Sequence, residues 1–141
     1  MTDRRVQFDE TYPSDLSVVR PIQDDIEQGL QANRFGDSDI FAIKLAVEEA
    51  IVNAIKHGNQ LDSAKRVRVH YSIDDELFAI TITDEGIGFN PEEVPDPREE
   101  CNLDRPCGRG VFIIRHFMTS VEYHDGGRVV AMTKRRSDDE E

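Results

Sequence analysis

Between Ile40 and Ala54 the apolar residues Ile40, Ile43, Val47, Ala50, Ile51 and Ala54 recur at steps of three and four. That spacing lays them along one face of a helix, opened by Asp37 or Ser38 and stopped by Gly58. This is the strongest helical signal in the chain, and so long a stripe needs a second layer to cover it. The next segment supplies one. Val67, Val69, Tyr71 and Ile73 alternate with Arg66, Arg68, His70 and Ser72, Asp74-Asp75 makes a turn, and Leu77 to Thr83 alternates again. The period of two describes a hairpin with one face buried.

The remaining elements fit around this pair. Arg5 to Tyr12 reads as a first strand ended by Pro13. A packing helix follows, capped by Ser14 or Ser17, with Leu16, Val19, Ile22, Ile26 and Leu30 on one face and its exit at Gly36. Residues 86 to 110 hold four prolines and four glycines among many charges, and a loop region this long inside a small domain is usually functional. Val111 to Met118 reads as a helix, with strands near Val121-Tyr123 and Val129-Thr133 around the turn Asp125-Gly126-Gly127. The expected fold is an α/β two-layer sandwich, with about three helices on one face of a mixed, mostly antiparallel sheet of about five strands. Its 141 residues fit one domain over residues 1–136, followed by an acidic tail, 137–141, that reads as disordered.

The formal charge of −12 is spread along the chain and offers no basic stripe for nucleic-acid phosphates, which argues against direct DNA binding. An anionic ligand would have to be held locally, by a few cations, backbone N–H groups and a metal ion. No stretch approaches a membrane-spanning length and the first residues lack the apolar core of a secretion signal, so no membrane contact and a cytoplasmic location are expected. In that reducing compartment Cys101 and Cys107 read as free thiols, with a redox pair as the alternative. The four histidines are scattered relative to the cysteines and lack zinc-site spacing.

Three short constellations carry chemistry. Glu49 and Asn53 sit four residues apart on the strongly apolar helix, so both emerge on one face, with His57 continuing the line and Lys56 nearby. A carboxamide oxygen suits Mg²⁺ that already carries phosphate oxygens, and a carboxylate can take a proton from an attacking hydroxyl. Asp84-Glu-Gly86-Ile-Gly88 leaves a strand into a loop whose glycines admit a planar ligand, and Asp84 can accept from an exocyclic amino group such as that of adenine. An ordinary turn uses the same residues. Gly108-Arg109-Gly110 precedes an apolar helix, where N–H groups can converge on anionic oxygens, with Arg109, Arg105 and Lys56 as countercharges.

In this order the pieces resemble the N box and two glycine boxes of the ATPase superfamily that contains gyrase, Hsp90, histidine kinases and MutL, known as GHKL or Bergerat-fold proteins. The resemblance runs from about Val6 to Thr133. Glu-Ala-Ile-Val-Asn-Ala-Ile-Lys-His-Gly at 49–58 and Gly108-Arg-Gly-Val-Phe-Ile-Ile-Arg115 are most similar to the anti-sigma-factor serine/threonine kinase branch. The resemblance implies ATP and Mg²⁺ as cofactors, Asn53 as the metal ligand, Glu49 as the base that activates a substrate serine or threonine, and Asp84 as the adenine reader. Gly86 and Gly88 would line the base pocket, Gly108 and Gly110 would support the phosphates, His57 would lie near phosphate, and Asn90 to Cys107 would form the ATP lid. Many relatives have a Thr after the glycine near the last strand. Arg128 stands there in this chain, leaving Thr133 or Thr81 to substitute. The implied partners are an anti-anti-sigma-type protein and a sigma factor, with homodimers common in the branch. The alternative is a nucleotide-dependent module that sequesters a regulator without phosphotransfer, and a detached histidine-kinase catalytic domain is a third, weaker reading.

Overall fold

The computed structural model of the chain describes residues 5–62, 64–86 and 114–137. The described residues form strands β1 (Val6–Pro13), β2 (Arg66–Ile73), β3 (Leu77–Asp84), β4 (Ser120–His124) and β5 (Val129–Arg135), with long helices α1 (Val19–Ala32) and α2 (Asp37–Asn53). A further helical stretch covers 114–117. The strands form one sheet in the order β1-β2-β3-β5-β4. Every described ladder is antiparallel, so the mixed pairing expected from sequence is not found among these residues. β4 does run in the direction of β3, but the tight turn at Asp125–Gly127 brings β5 back between them.

Alternation decides which face is covered. Val67, Val69, Tyr71 and Ile73 of β2 and Phe78, Ile80 and Ile82 of β3 are all buried, and they pack with Ile22, Ile26 and Leu30 of α1 and Ile43, Val47 and Ile51 of α2 in one core. Each such aliphatic side chain contributes about 1.5–3 kcal/mol by leaving water, so α2 is held in place chiefly by its apolar stripe. Phe8 stacks on its cross-strand partner Tyr71 with ring centroids 4.9 Å apart, and on the other face Arg68 makes a two-pronged contact with Asp9 at 2.9 and 2.6 Å. The first strand is thereby joined on both sides.

Two local expectations are corrected. Leu16 is 43% exposed and lies in a short 3₁₀ turn, Leu16–Val18, capped by Asp15, whose side chain accepts from the Ser17 N–H. The α-helix therefore starts at Val19, with Pro21 in its first turn, where a missing N–H costs least. Gly36 does not provide the exit of α1. Arg34 adopts the left-handed conformation there, at φ 69°, while Gly36 is extended and precedes α2. Just past β5, Ser137 donates through both its N–H and its Oγ to the buried carboxylate of Asp39, each at 2.8 Å. That contact ties the end of β5 to the first turn of α2. Among the described residues no helix is long and apolar enough to cross a membrane.

Candidate functional site

α2 does not run straight to Gly58. After Asn53 it widens over Ala54–Gly58 into a π-turn, with the Asn59 N–H reaching back five residues to the Ala54 carbonyl at 2.8 Å. Single wide turns of this kind concentrate at functional sites because they re-aim the backbone. Here the widened turn carries Gly58 against the end of β3. An added Cβ on Gly58 would fall onto the Asp84 carboxylate, 2.7 Å from its Oδ1, and one on Gly86 would overlap the Gly58 carbonyl. These two glycines are required by close approach, because no side chain fits between the segments.

The contact is locked by Asn59, which is completely buried. Its Nδ2 donates to Ser14 Oγ at 2.6 Å and to the Arg66 carbonyl at 3.0 Å, and its Oδ1 accepts from the Glu85 N–H at 2.8 Å. The Glu85 carboxylate in turn accepts from the Arg66 N–H at 2.8 Å. One carboxamide thus joins the ends of β1 and β3 and the start of β2 to the exit of α2. Sequence reasoning missed Asn59 because the helix pattern stops at Gly58, and a polar residue after a glycine looks like solvent-facing loop.

Asp84 is 8% exposed at the end of β3. Its Oδ1 accepts from the Gly86 N–H at 2.8 Å, and its own N–H donates to the Arg128 carbonyl at 2.9 Å. Burial pushes its carboxyl above the ordinary 3.8, partly opposed by the Gly86 N–H and by the charges of Arg128 and Lys65. A buried carboxylate with acceptor capacity to spare favours a ligand that brings its own N–H.

Asp84 lines a narrow cleft between the helices and the sheet. Ile82 and Val130 form its apolar floor, Ala50 and Ile114 its helical side, and Asn53 and Arg128 add polar groups. Of the residues singled out from sequence, the structure brings Asn53 and Asp84 together in this pocket, with Gly86 packed directly behind. Glu49, Lys56 and His57 are half-buried on the same helical segment but do not line it. Gly88, Arg105, Gly108, Arg109 and Gly110, together with Cys101, Cys107 and the expected lid, lie outside the described residues. Thr81 and Thr133 fail as substitutes for a base-pocket hydroxyl. Each is offset by one residue from a buried neighbour on its strand, so both fall on the opposite sheet face, where Thr81 sits with Arg68 and His70. Arg128, read from sequence as a departure, lines the pocket itself.

Residues 12–134 match the family described as the histidine kinase-like ATPase domain. The chain belongs to that family. Within the ATPase family it is similar to the anti-sigma F factor of Clostridium perfringens, with 36% identity over 100 residues that span 66% of this chain and 70% of the relative. It is 33% identical over 99 residues to the serine-protein kinase RsbW of Listeria monocytogenes, covering 65% of this chain and 63% of that kinase. The solved structure of the RsbU and RsbW domains of a Mycobacterium tuberculosis protein superposes with a TM-score of 0.63 at 16% identity, over 93% of this chain and 32% of the other. At that identity the likeness establishes the fold, a two-layer α/β architecture with a mostly antiparallel sheet.

An ATPase domain binds ATP, and the lining of the cleft has the chemistry that a nucleotide base needs. Its floor is aliphatic, and the buried carboxylate of Asp84 is an acceptor of the kind that suits the amino group of adenine. Asn53 also presents a neutral oxygen ligand of the kind that Mg²⁺ takes alongside phosphates.

Proposed function

We propose that this chain is a cytoplasmic anti-sigma regulatory factor that binds MgATP and transfers the γ-phosphoryl group to a serine or threonine of an anti-anti-sigma-type protein, and that in its other state it holds a sigma factor inactive. The observation that carries the reading is the meeting of Asn53, Gly58 and Asp84 in one pocket. The names of the clostridial and listerial relatives support the same direction.

In this reading Asp84 accepts from the adenine amino group, and Gly58 and Gly86, by packing together without side chains, hold that carboxylate at the cleft. Asn53 helps to hold Mg²⁺, which supplies neutralisation of phosphate charge when bound. Glu49, one helical turn before Asn53, takes the proton from the attacking hydroxyl as the new O–P bond forms and the bond to the β-phosphate oxygen breaks, with ADP leaving. Lys56, His57, Arg105, Arg109 and the Gly108/Gly110 backbone provide the phosphate surroundings, and Gly88 continues the base wall. A homodimer is compatible with this scheme.

A second reading, a binding module that sequesters its partner without transferring phosphate, draws on the position of Glu49 outside the pocket wall. Incubation with γ-labelled ATP and the cognate antagonist separates the two. Glu49→Gln is expected to reduce label transfer by about 10²–10⁴-fold while leaving ATP affinity within a few-fold of wild type. ATP binding by the wild type with no label on any serine or threonine would leave only the binding module.

A further inference from the structure

The base end of the pocket holds a cation that phosphate binding does not explain. Arg128 is anchored among the groups that surround Asp84 rather than beside the helical segment of Lys56 and His57. Its main-chain carbonyl takes the Asp84 N–H at 2.9 Å, its Nη1 donates to the Gly86 carbonyl at 3.1 Å, and its charge acts on the Asp84 carboxyl. The same side chain lines the pocket and is about one-third exposed, at 37%. Its remaining contacts, from Nε and Nη2 to Asp125, are long at 3.4 Å and solvent-facing. A guanidinium has five donors, so this one keeps donor capacity at the pocket.

We propose that Arg128 is a base-reading residue, whose guanidinium donates directly to the purine ring nitrogen beside the exocyclic amino group that Asp84 accepts. The proposal rests on the nucleotide reading above and deepens it. Adenine presents its amino group between two acceptors, N1 and N7. With Asp84 taking the amino proton, one of those nitrogens faces the neighbouring polar group of the wall. A ring nitrogen that enters an aliphatic pocket without a donor loses its hydration with no return, a penalty comparable to a lost hydrogen bond. Asn53 and Tyr123 also bring donors to the wall, but Arg128 is the described wall residue bonded to both Asp84 and Gly86, and its tether to the Gly86 carbonyl fixes where its donors point. The acceptor of Asp84 and the donor of Arg128 therefore form a complementary pair for one edge of the base, in which charge assistance makes the second bond as discriminating as the first.

Calorimetric titration of the full chain with MgATP and with the magnesium complexes of 1-deaza-ATP and 7-deaza-ATP tests this. Wild type is expected to bind one of the two analogues about tenfold more weakly than ATP, the loss of roughly one charge-assisted hydrogen bond, and the weaker one identifies the nitrogen. Arg128→Ala should lose a similar factor for ATP and should no longer distinguish that analogue from ATP, while Arg128→Lys should recover part of the discrimination. Equal affinity of wild type for all three nucleotides overturns the proposal without any variant, which covers the case of a misfolded Arg128→Ala. An Arg128→Ala protein that keeps the wild-type preference against both analogues reduces Arg128 to a structural tether. Wild type that binds no nucleotide at all would sink the nucleotide reading itself, a result distinct from either of these.

Discussion

Asp84 shows how a single residue can be set against the stability of its own fold. Burial raises its carboxyl, so the folded-state value lies above the unfolded one, and the favourable contribution of the protonated form is complete below the ordinary 3.8 and disappears as pH climbs through the folded value. At neutral pH the ionised group is therefore a burden on the empty protein. Asp84→Asn is expected to melt at the same or a higher temperature than wild type at pH 7, an advantage that vanishes in melts at pH 3. The same substitution should abolish nucleotide binding. With one side-chain position committed to the Gly86 N–H, the amide must turn its NH₂ either toward the adenine amino group or toward Gly86, and in both orientations a donor meets a donor. A parallel loss of melting temperature and affinity would contradict this account.

At the scale of elements, the exit of α2 matters more than its regular body. The stripe from Ile40 to Ala54 and the alternation across the β2–β3 hairpin were plain in the sequence because burial enforces those periods, and the polar pair Glu49/Asn53 stood out against them. The widening at Ala54–Gly58 was not legible, since Ala-Ile-Lys-His continues a helical pattern equally well and only the docking of Gly58 on Asp84 demands the wider turn. The assignment of Thr81 and Thr133 to the base pocket failed for a related reason. Composition nominates hydroxyls, but strand parity decides which face they reach. Asn59→Ala should cost about 3 kcal/mol in urea unfolding, because it removes the three hydrogen bonds of a buried carboxamide, to Ser14, Arg66 and Glu85, at about 1 kcal/mol each. A loss below about 1 kcal/mol would show that water replaces the carboxamide.

In the whole molecule, a buried carboxylate holds Ser137, just past β5, against the start of α2, and the Asn59 carboxamide gathers segments that begin near Ser14, Arg66 and Glu85. The fold class was readable because two layers are the simplest way to cover one long apolar helix and one half-apolar hairpin. The residues that bind those layers at the pocket were not, because their roles depend on partners 45 and 26 positions away in sequence, separations that carry no local pattern. Arg128 belongs with them, as it reaches 42 residues back to the Gly86 carbonyl.

The Asn59 junction also bears on the order in which the molecule comes together. Segments as far from Asn59 as Ser14 and Glu85 must be in place before one carboxamide can bridge them, so its bonds are expected to form on the native side of the folding barrier. In stopped-flow chevrons, Asn59→Ala should leave the refolding limb almost unmoved and quicken unfolding by about a hundredfold. A low-φ junction beside the cleft governs how fast the native state is left, so an occupant bound across the cleft is expected to act as a brake on unfolding.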